Sequence, residues 1–220
     1  MTASSHPGPP APSRRETRRR DRRAAILAVA GRSFLSRGYA ATTMSAIAAE
    51  LGGSKGTLWS YFPSKEALFA ACLDHATMAY RERLAQLLDP QGDLTPTLFL
   101  LAKNLLEKVT SPDALALYRL VVSEGIRFPE MASIFFEHGP HHTRLIIATF
   151  LTQAMERGLL RRADPELAAR NFIALVFSGS HQQMLLGQMP TITPDQIEAD
   201  AAQALDCFLS AYALGREASR

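Results

Sequence analysis

Residues 42–68 read Thr42-Thr43-Met44-Ser45-Ala46-Ile47-Ala48-Ala49-Glu50-Leu51-Gly52-Gly53-Ser54-Lys55-Gly56-Thr57-Leu58-Trp59-Ser60-Tyr61-Phe62-Pro63-Ser64-Lys65-Glu66-Ala67-Leu68. Thr43 has the side chain of a helix N-cap, and Met44, Ile47, Ala48 and Leu51 then share one helical face. Gly52-Gly53 breaks that helix. Ser54 caps a very short second one, Lys55 to Phe62, which Pro63 stops. Ser64 caps a long helix that opens Lys65-Glu66-Ala67-Leu68 and is expected to reach about Leu88. Upstream, Ile26, Val29, Ala30, Ser33 and Phe34 fall at i, i+3, i+4, i+7 and i+8 of a helix from Arg22 to Ser36, closed by Gly38. Three short helices with a tight turn before the third spell a helix-turn-helix, whose last helix is shaped for a DNA major groove.

Downstream of Asp89-Pro90-Gln91-Gly92 every signal is again helical. Leu98, Leu101, Leu105 and Val109 mark one stripe. Ser111-Pro112, Asp164-Pro165 and Thr193-Pro194 each pair a cap with a proline at the first helical position, and Gln196 completes a capping box with Thr193. Pro129 opens a short helix to Glu137, and Pro140 a longer one ended by Gly158. A helix over 165–187 is apolar nearly all round at Phe172–Phe177, and one over 194–213 is amphipathic. The total is about ten helices, no strand and no repeat. The expected fold is all-α: an N-terminal arm over 1–20, a helix-turn-helix domain over 21–66 and a helical domain over 67–220.

The 220 residues carry 24 Lys+Arg against 21 Asp+Glu, a net of only +3. Divided along the chain, residues 1–80 hold 11 basic and 5 acidic side chains, a net of +6, and the rest hold 13 and 16, a net of −3. A basic head on a mildly acidic body suits a polyanion bound at the head alone. Residues 1–13 are Pro/Ser-rich and read as a disordered leader rather than a secretory signal, having no apolar core segment. No apolar run approaches the roughly 18 residues that cross a bilayer, so no membrane partner is expected. Cys72 and Cys207 are far apart, which excludes a disulfide framework and a Cys-rich zinc site and makes a reducing cytoplasm the expected location.

The segments Thr42–Gly52, Ser54–Phe62 and Ser64–Leu68 resemble, in order and spacing, the TetR family of bacterial transcriptional regulators, a likeness that covers about residues 22–70. Tyr118–Glu130 looks like one of the family's AcrR-like ligand domains. The resemblance implies that Thr57, Trp59 and Tyr61 contact DNA, that Lys65 holds a phosphate and that Thr43 donates to the backbone. It also implies a homodimer on a palindromic operator, released by a small hydrophobic effector in the body, and it implies neither cofactor nor resident metal. Trp59 stands where Tyr is usual, Gly53 where the turn is usually apolar, and Ala46 where a capping acid could stand.

The residues can also be read for their own chemistry. Lys55 can donate to guanine or phosphate, and Ser54, Thr57 and Ser60 offer hydroxyls. Gly56, costly inside a helix by about 1 kcal/mol, suits close backbone approach to DNA. Trp59 could instead pack between helices, and Lys65 could be a solvated first-turn lysine. Arg18, Arg19, Arg20, Arg22 and Arg23 are expected to add salt-dependent affinity, the alternative being a solubilising tail.

In the body, Phe172, Leu175, Val176, Phe208, Leu209 and Tyr212 are dimer-interface candidates, or else core. Phe99, Tyr118, Phe135, Phe150 and Phe177 are candidate cavity aromatics. Asn104, Glu124, Asn171 and His181 are polar groups on apolar helices that would orient a ligand or bond to backbone. His138-Gly139-Pro140-His141-His142 is the one candidate metal cluster, and a solvated interhelical loop is the expected reading. No nucleophile elbow or phosphate loop is present, so an enzyme is not expected. A ligand-independent DNA-binding protein is the nearer alternative to a sensor, with a helical metal-dependent enzyme behind it.

Overall fold

The computed structural model describes residues 13–52 and 55–214, the Lys55 side chain apart. Gly53, Ser54, the reach of Lys55 and the leader over 1–12 lie outside the described residues. Eleven α-helices follow in order: α1 (Arg14–Ala41), α2 (Met44–Glu50), α3 (Lys55–Tyr61), α4 (Lys65–Leu87), α5 (Leu94–Val109), α6 (Pro112–Glu124), α7 (Pro129–Phe136), α8 (His142–Glu156), α9 (Pro165–Phe177), α10 (Ser180–Leu185) and α11 (Pro194–Tyr212). No strand occurs among the described residues. The caps read from sequence are made: Ala46, Ala67, Ala114, Leu167 and Gln196 donate their amides to Thr43, Ser64, Ser111, Asp164 and Thr193.

Three stretches depart from expectation. The first helix begins at Arg14, eight residues earlier than its apolar stripe suggests. Ser13 and Glu16 form a capping box: the Glu16 amide donates to Ser13 Oγ at 3.2 Å, and the Ser13 amide to Glu16 Oε2 at 2.7 Å. Those backbone and hydroxyl bonds hold the Glu16 carboxyl below its ordinary pKa. Residues 14–20 are therefore an added helical segment of the head, not part of a disordered arm, and a boundary at 20/21 would cut α1.

The expected helix over 165–187 is two helices, α9 and α10, bent at Gly179 (φ −98°, ψ −123°). Asp200 of α11 accepts the Ser180 amide at 2.8 Å, and its carboxylate lies 2.7 Å from where a Gly179 Cβ would stand. A Cβ at residue 179 would force that carboxylate to move.

Residues 137–142 are not a solvated loop. Glu137–His141 form a π-helical turn that leads straight into α8. The wider turn accommodates Pro140, which has no amide to donate. Asp74 and Arg81 of α4 hold it from outside: His138 Nδ1 lies 2.8 Å from Asp74 Oδ1, and the Arg81 guanidinium donates to the His138 carbonyl.

Two cores organise the chain. The head core joins Ile26, Ala30, Phe34, Ile47, Ala48, Leu58, Phe62, Leu68 and Phe69 with Leu120 of α6 and Met131 of α7. The body core joins the end of α4 with α5, α8, α9 and α11. Helix α4 contributes to both and so connects them.

Candidate DNA interface and body cavity

Helix α3 is seven residues long and sharply two-sided. Leu58 is buried with the Phe62 that follows the helix, while Gly56, Thr57, Trp59 and Ser60 face outward and Tyr61 is half-buried. Trp59 is 41% exposed. An indole left that open on a helix this short serves contact better than packing. Thr43 is exposed at the start of α2, and Ser60 Oγ donates to the Thr57 carbonyl at 2.7 Å.

The added turns of α1 run beside this surface. Arg15, Arg18 and Arg19 line one concave surface with Ser13, Glu16, Ser60 and Tyr61. They share a face because residues three and four apart lie above one another on a helix. The other arginines of the run point elsewhere. Arg20 faces α4 beside Asp74 and Arg81. Arg22 donates to the Leu51 carbonyl at 3.4 Å, and the Arg23 guanidinium lies 5.4 Å from the centre of the Phe62 ring.

Lys65 is half-buried, and its ammonium is bonded within the chain. Its ammonium donates to the carbonyls of Tyr39 (2.8 Å) and Thr42 (3.2 Å), 4.1 Å from the centre of the Tyr39 ring. The end of α1 leaves these carbonyls open, and a cation is the natural cap for them. Burial lowers the lysine's pKa. In the DNA-free chain Lys65 thus braces the joint of head and body.

Tyr39 is the centre of that joint. Its hydroxyl donates to Glu66 Oε1 at 3.1 Å, and its ring packs edge-on against Phe69 and Phe128. Glu124, at the end of α6, accepts the Tyr39 amide at 3.1 Å and the Ala40 amide at 2.7 Å. Helices α4, α6 and α7 all meet the head here.

The body holds a cavity of about 170 Å³. Its walls are Thr77 and Tyr80 of α4, Leu105, Lys108 and Val109 of α5, Ala114, Leu117 and Tyr118 of α6, Phe135 of α7 and Ile173 and Phe177 of α9, with Gly139, Pro140, Thr143 and His181 completing the lining. Tyr118, Phe135, Phe177 and His181 thus come together as expected. The other five cavity candidates do not. Phe99 packs on the body core beneath Lys103, and Phe150 is inside that core. Asn104 donates to the Leu100 carbonyl at 2.9 Å, Asn171 to the Tyr212 hydroxyl at 2.8 Å, and Glu124 serves the joint.

Comparison with known proteins places these features. The model of the AefR-like transcriptional repressor C-terminal domain matches residues 96–214, and that of the bacterial regulatory proteins, tetR family, matches residues 26–72. The chain belongs to the TetR family. It is a helix-turn-helix transcriptional regulator, and the proteins of this family are not enzymes. The likeness of Tyr118–Glu130 to a ligand-domain subgroup falls within the longer match. The solved Flavonoid-responsive Regulator FrrA is 33% identical, with a TM-score of 0.74 over 88% of this chain and 97% of its own. A TetR-family regulator from Mesorhizobium loti MAFF303099 shares the fold at a TM-score of 0.79, 24% identity and 90% and 100% coverage. The HTH-type regulator YhgD of Bacillus subtilis (strain 168) is 25% identical over 175 residues, 74% of this chain and 86% of its own.

For a TetR regulator the interface candidates need correction. Phe172, Val176, Phe208 and Tyr212 are core of the single chain, at most 6% exposed, so they have no surface left to share. Phe172 and Phe208 pack edge to face at 5.1 Å, and Tyr212 stacks on Phe208 at 4.6 Å. Leu175 and Leu209 keep part of their surface open.

Several residues at these TetR surfaces escaped sequence reasoning. Arg15 was legible in principle, through its i+3 and i+4 spacing to Arg18 and Arg19, once α1 is extended to Arg14. Thr77, Tyr80 and Lys108 reach the cavity only through the crossing of α4 and α5, which no local pattern announces. Among the described residues no group of three His, Cys, Asp or Glu side chains could hold a metal.

Proposed function

We propose that a homodimer of this regulator binds a palindromic operator, represses transcription, and releases the DNA when a small hydrophobic molecule fills the body cavity. The observation that carries the proposal is shared walls. Helices α4 and α6 both line the cavity, and both grip Tyr39 of the head, through Lys65 and Glu66 on one side and Glu124 on the other. A ligand that separates α4 from α6 must shift the grip on the head.

On the DNA side, Trp59, Ser60 and Tyr61 face the groove edge of the head, with Arg15, Arg18 and Arg19 beside them for phosphate. One such head reads few base pairs, so a two-fold dimer with heads about one DNA turn, roughly 34 Å, apart is the natural reader. The outer faces of α9 and α11, with Leu167, Ala174, Leu175, Ala202 and Leu209, supply the dimer contact. Release needs only that the ligand prefer the state with mis-spaced heads, and coupling of about 1–3 kcal/mol is typical. FrrA, which by its name responds to flavonoids, supports an aromatic effector in the equivalent body. No helix among the described residues is long and apolar enough to cross a membrane, and a chromosomal operator puts the protein in the cytoplasm.

A gel-shift titration with the DNA upstream of its own gene tests this reading. Wild-type protein should give one retarded species, and Lys55→Ala and Trp59→Ala should each weaken it at least tenfold. Equal binding by both variants would remove α3 from the recognition role.

A further inference from the structure

The cavity has a chemistry more specific than apolar. Most of its wall is hydrocarbon or aromatic: Phe135, Phe177, Ile173 and Leu117, with Tyr118 edge-on to His181. Burial lowers the pKa of His181 and keeps its ring neutral. Beside the Thr77 and Thr143 hydroxyls, two polar groups stand out in that wall. The Tyr80 hydroxyl is buried and has no hydrogen-bond partner, and burial raises its pKa, so it stays a protonated donor. Lys108 lies on the same wall, its ammonium 5.8 Å from the centre of the Tyr80 ring, with one bond to the Ala76 carbonyl at 3.2 Å. Burial lowers its pKa too. The lining thus includes a cation with one protein hydrogen bond and an orphaned donor, and no carboxylate; from outside it Asp113 and Arg83 act on Lys108 with opposite signs.

Size narrows the guest further. A dry apolar cavity of about 150 Å³ takes up benzene, so about 170 Å³ holds one ring with a small substituent.

We propose that the effector is a single-ring aromatic carboxylate. Its ring lies among Phe135, Phe177 and Tyr118, and its carboxylate accepts from Lys108 and Tyr80. The inference rests on the effector reading of the cavity given above. It adds what that reading leaves open: an anionic ligand, one ring in size. Because Tyr80 sits on α4, one of the anion's bonds falls on the helix that carries Lys65 to the head.

Isothermal titration of the full chain with benzoate and with its neutral isostere benzamide tests the class. Benzoate should bind at least tenfold more tightly than benzamide. Lys108→Met should abolish that preference, Lys108→Arg should retain it, and Tyr80→Phe should weaken benzoate severalfold more than benzamide. Unliganded melting curves identify any variant that fails to fold, and the wild-type comparison does not depend on them. If benzamide binds as well as benzoate, or if a folded Lys108→Met keeps the preference, the anionic class is wrong while the effector cavity stands. If neither compound binds, the effector reading falls, and the class with it.

Discussion

Gly38 and Glu124 are in direct contact: the Glu124 carboxylate oxygen Oε1 lies too close to the place where a side chain on residue 38 would begin for one to fit unless Glu124 moves. Gly38 has φ +85° and ψ 168°, outside the helical region and open chiefly to glycine. The break it makes in α1 turns the amides of Tyr39 and Ala40 outward, and Glu124 accepts both. One glycine therefore lets the end of α6 dock on the DNA-binding head.

Gly38→Ala should destabilise the protein by more than the roughly 1–3 kcal/mol of backbone strain alone, because Glu124 must also move. Glu124→Ala leaves two amides without their acceptor and should cost about 1–3 kcal/mol. Since Glu124→Ala removes the overlap that Gly38→Ala creates, the double variant should melt higher than the two single losses predict by addition. At this chain size each 1 kcal/mol shifts Tm by about 2–4 °C, well within calorimetric resolution. Strict additivity would mean that the two residues are not in contact.

Replacing Arg15, Arg18 and Arg19 together with Ala should weaken operator binding and flatten its salt dependence. Each lost phosphate contact lowers the slope of log K against log salt by about 0.9 in magnitude. Arg20→Ala, on the α4 side, should leave the slope near that of the wild type. Anisotropy titrations over 50–200 mM salt would separate the two. An unchanged slope in the triple variant would mean that the added turns of α1 do not touch DNA.

His181 is buried, and burial holds its folded pKa below 6.5. Above pH 6.5 the ring is neutral in both folded and unfolded chains. Below it the unfolded chain takes up a proton that the folded chain refuses, so stability is lost as pH falls toward the folded pKa. Urea unfolding should show the wild type losing more stability between pH 7 and pH 5 than His181→Gln does. Equal losses would place His181 in water instead of in the cavity wall.

Core and interface in the last helix should separate cleanly by substitution. Phe208→Ala removes a fully buried ring and should cost about 3–5 kcal/mol. Ala202→Arg, on the exposed face of α11, should leave the fold of one chain intact but place a charge in the dimer contact. Sedimentation equilibrium should then show a species of one chain mass, 24.1 kDa, where the wild type shows twice that mass. A dimeric Ala202→Arg would move the interface elsewhere.

The helix-turn-helix was legible because its signals are local. Thr43 and Ser64 cap their helices within one turn, Pro63 stops a helix by its own ring, and the stripe of Ile26, Ala30 and Phe34 follows from 3.6 residues per turn. Even the added turns of α1 were written locally, in the Ser13–Glu16 box. What no local pattern carried are the relations between residues far apart in sequence: Lys65 on the Tyr39 carbonyl, Glu124 at Gly38, Asp200 against Gly179, and Tyr80 beside Lys108. The sequence by itself determined the all-α class, the family and the exposed face of α3, since caps, breakers and periodicity act within a few residues. Only the tertiary structure decided whether a given apolar or charged side chain became core, joint or cavity wall. That depends on which helices cross, and crossing is set by packing over the whole chain.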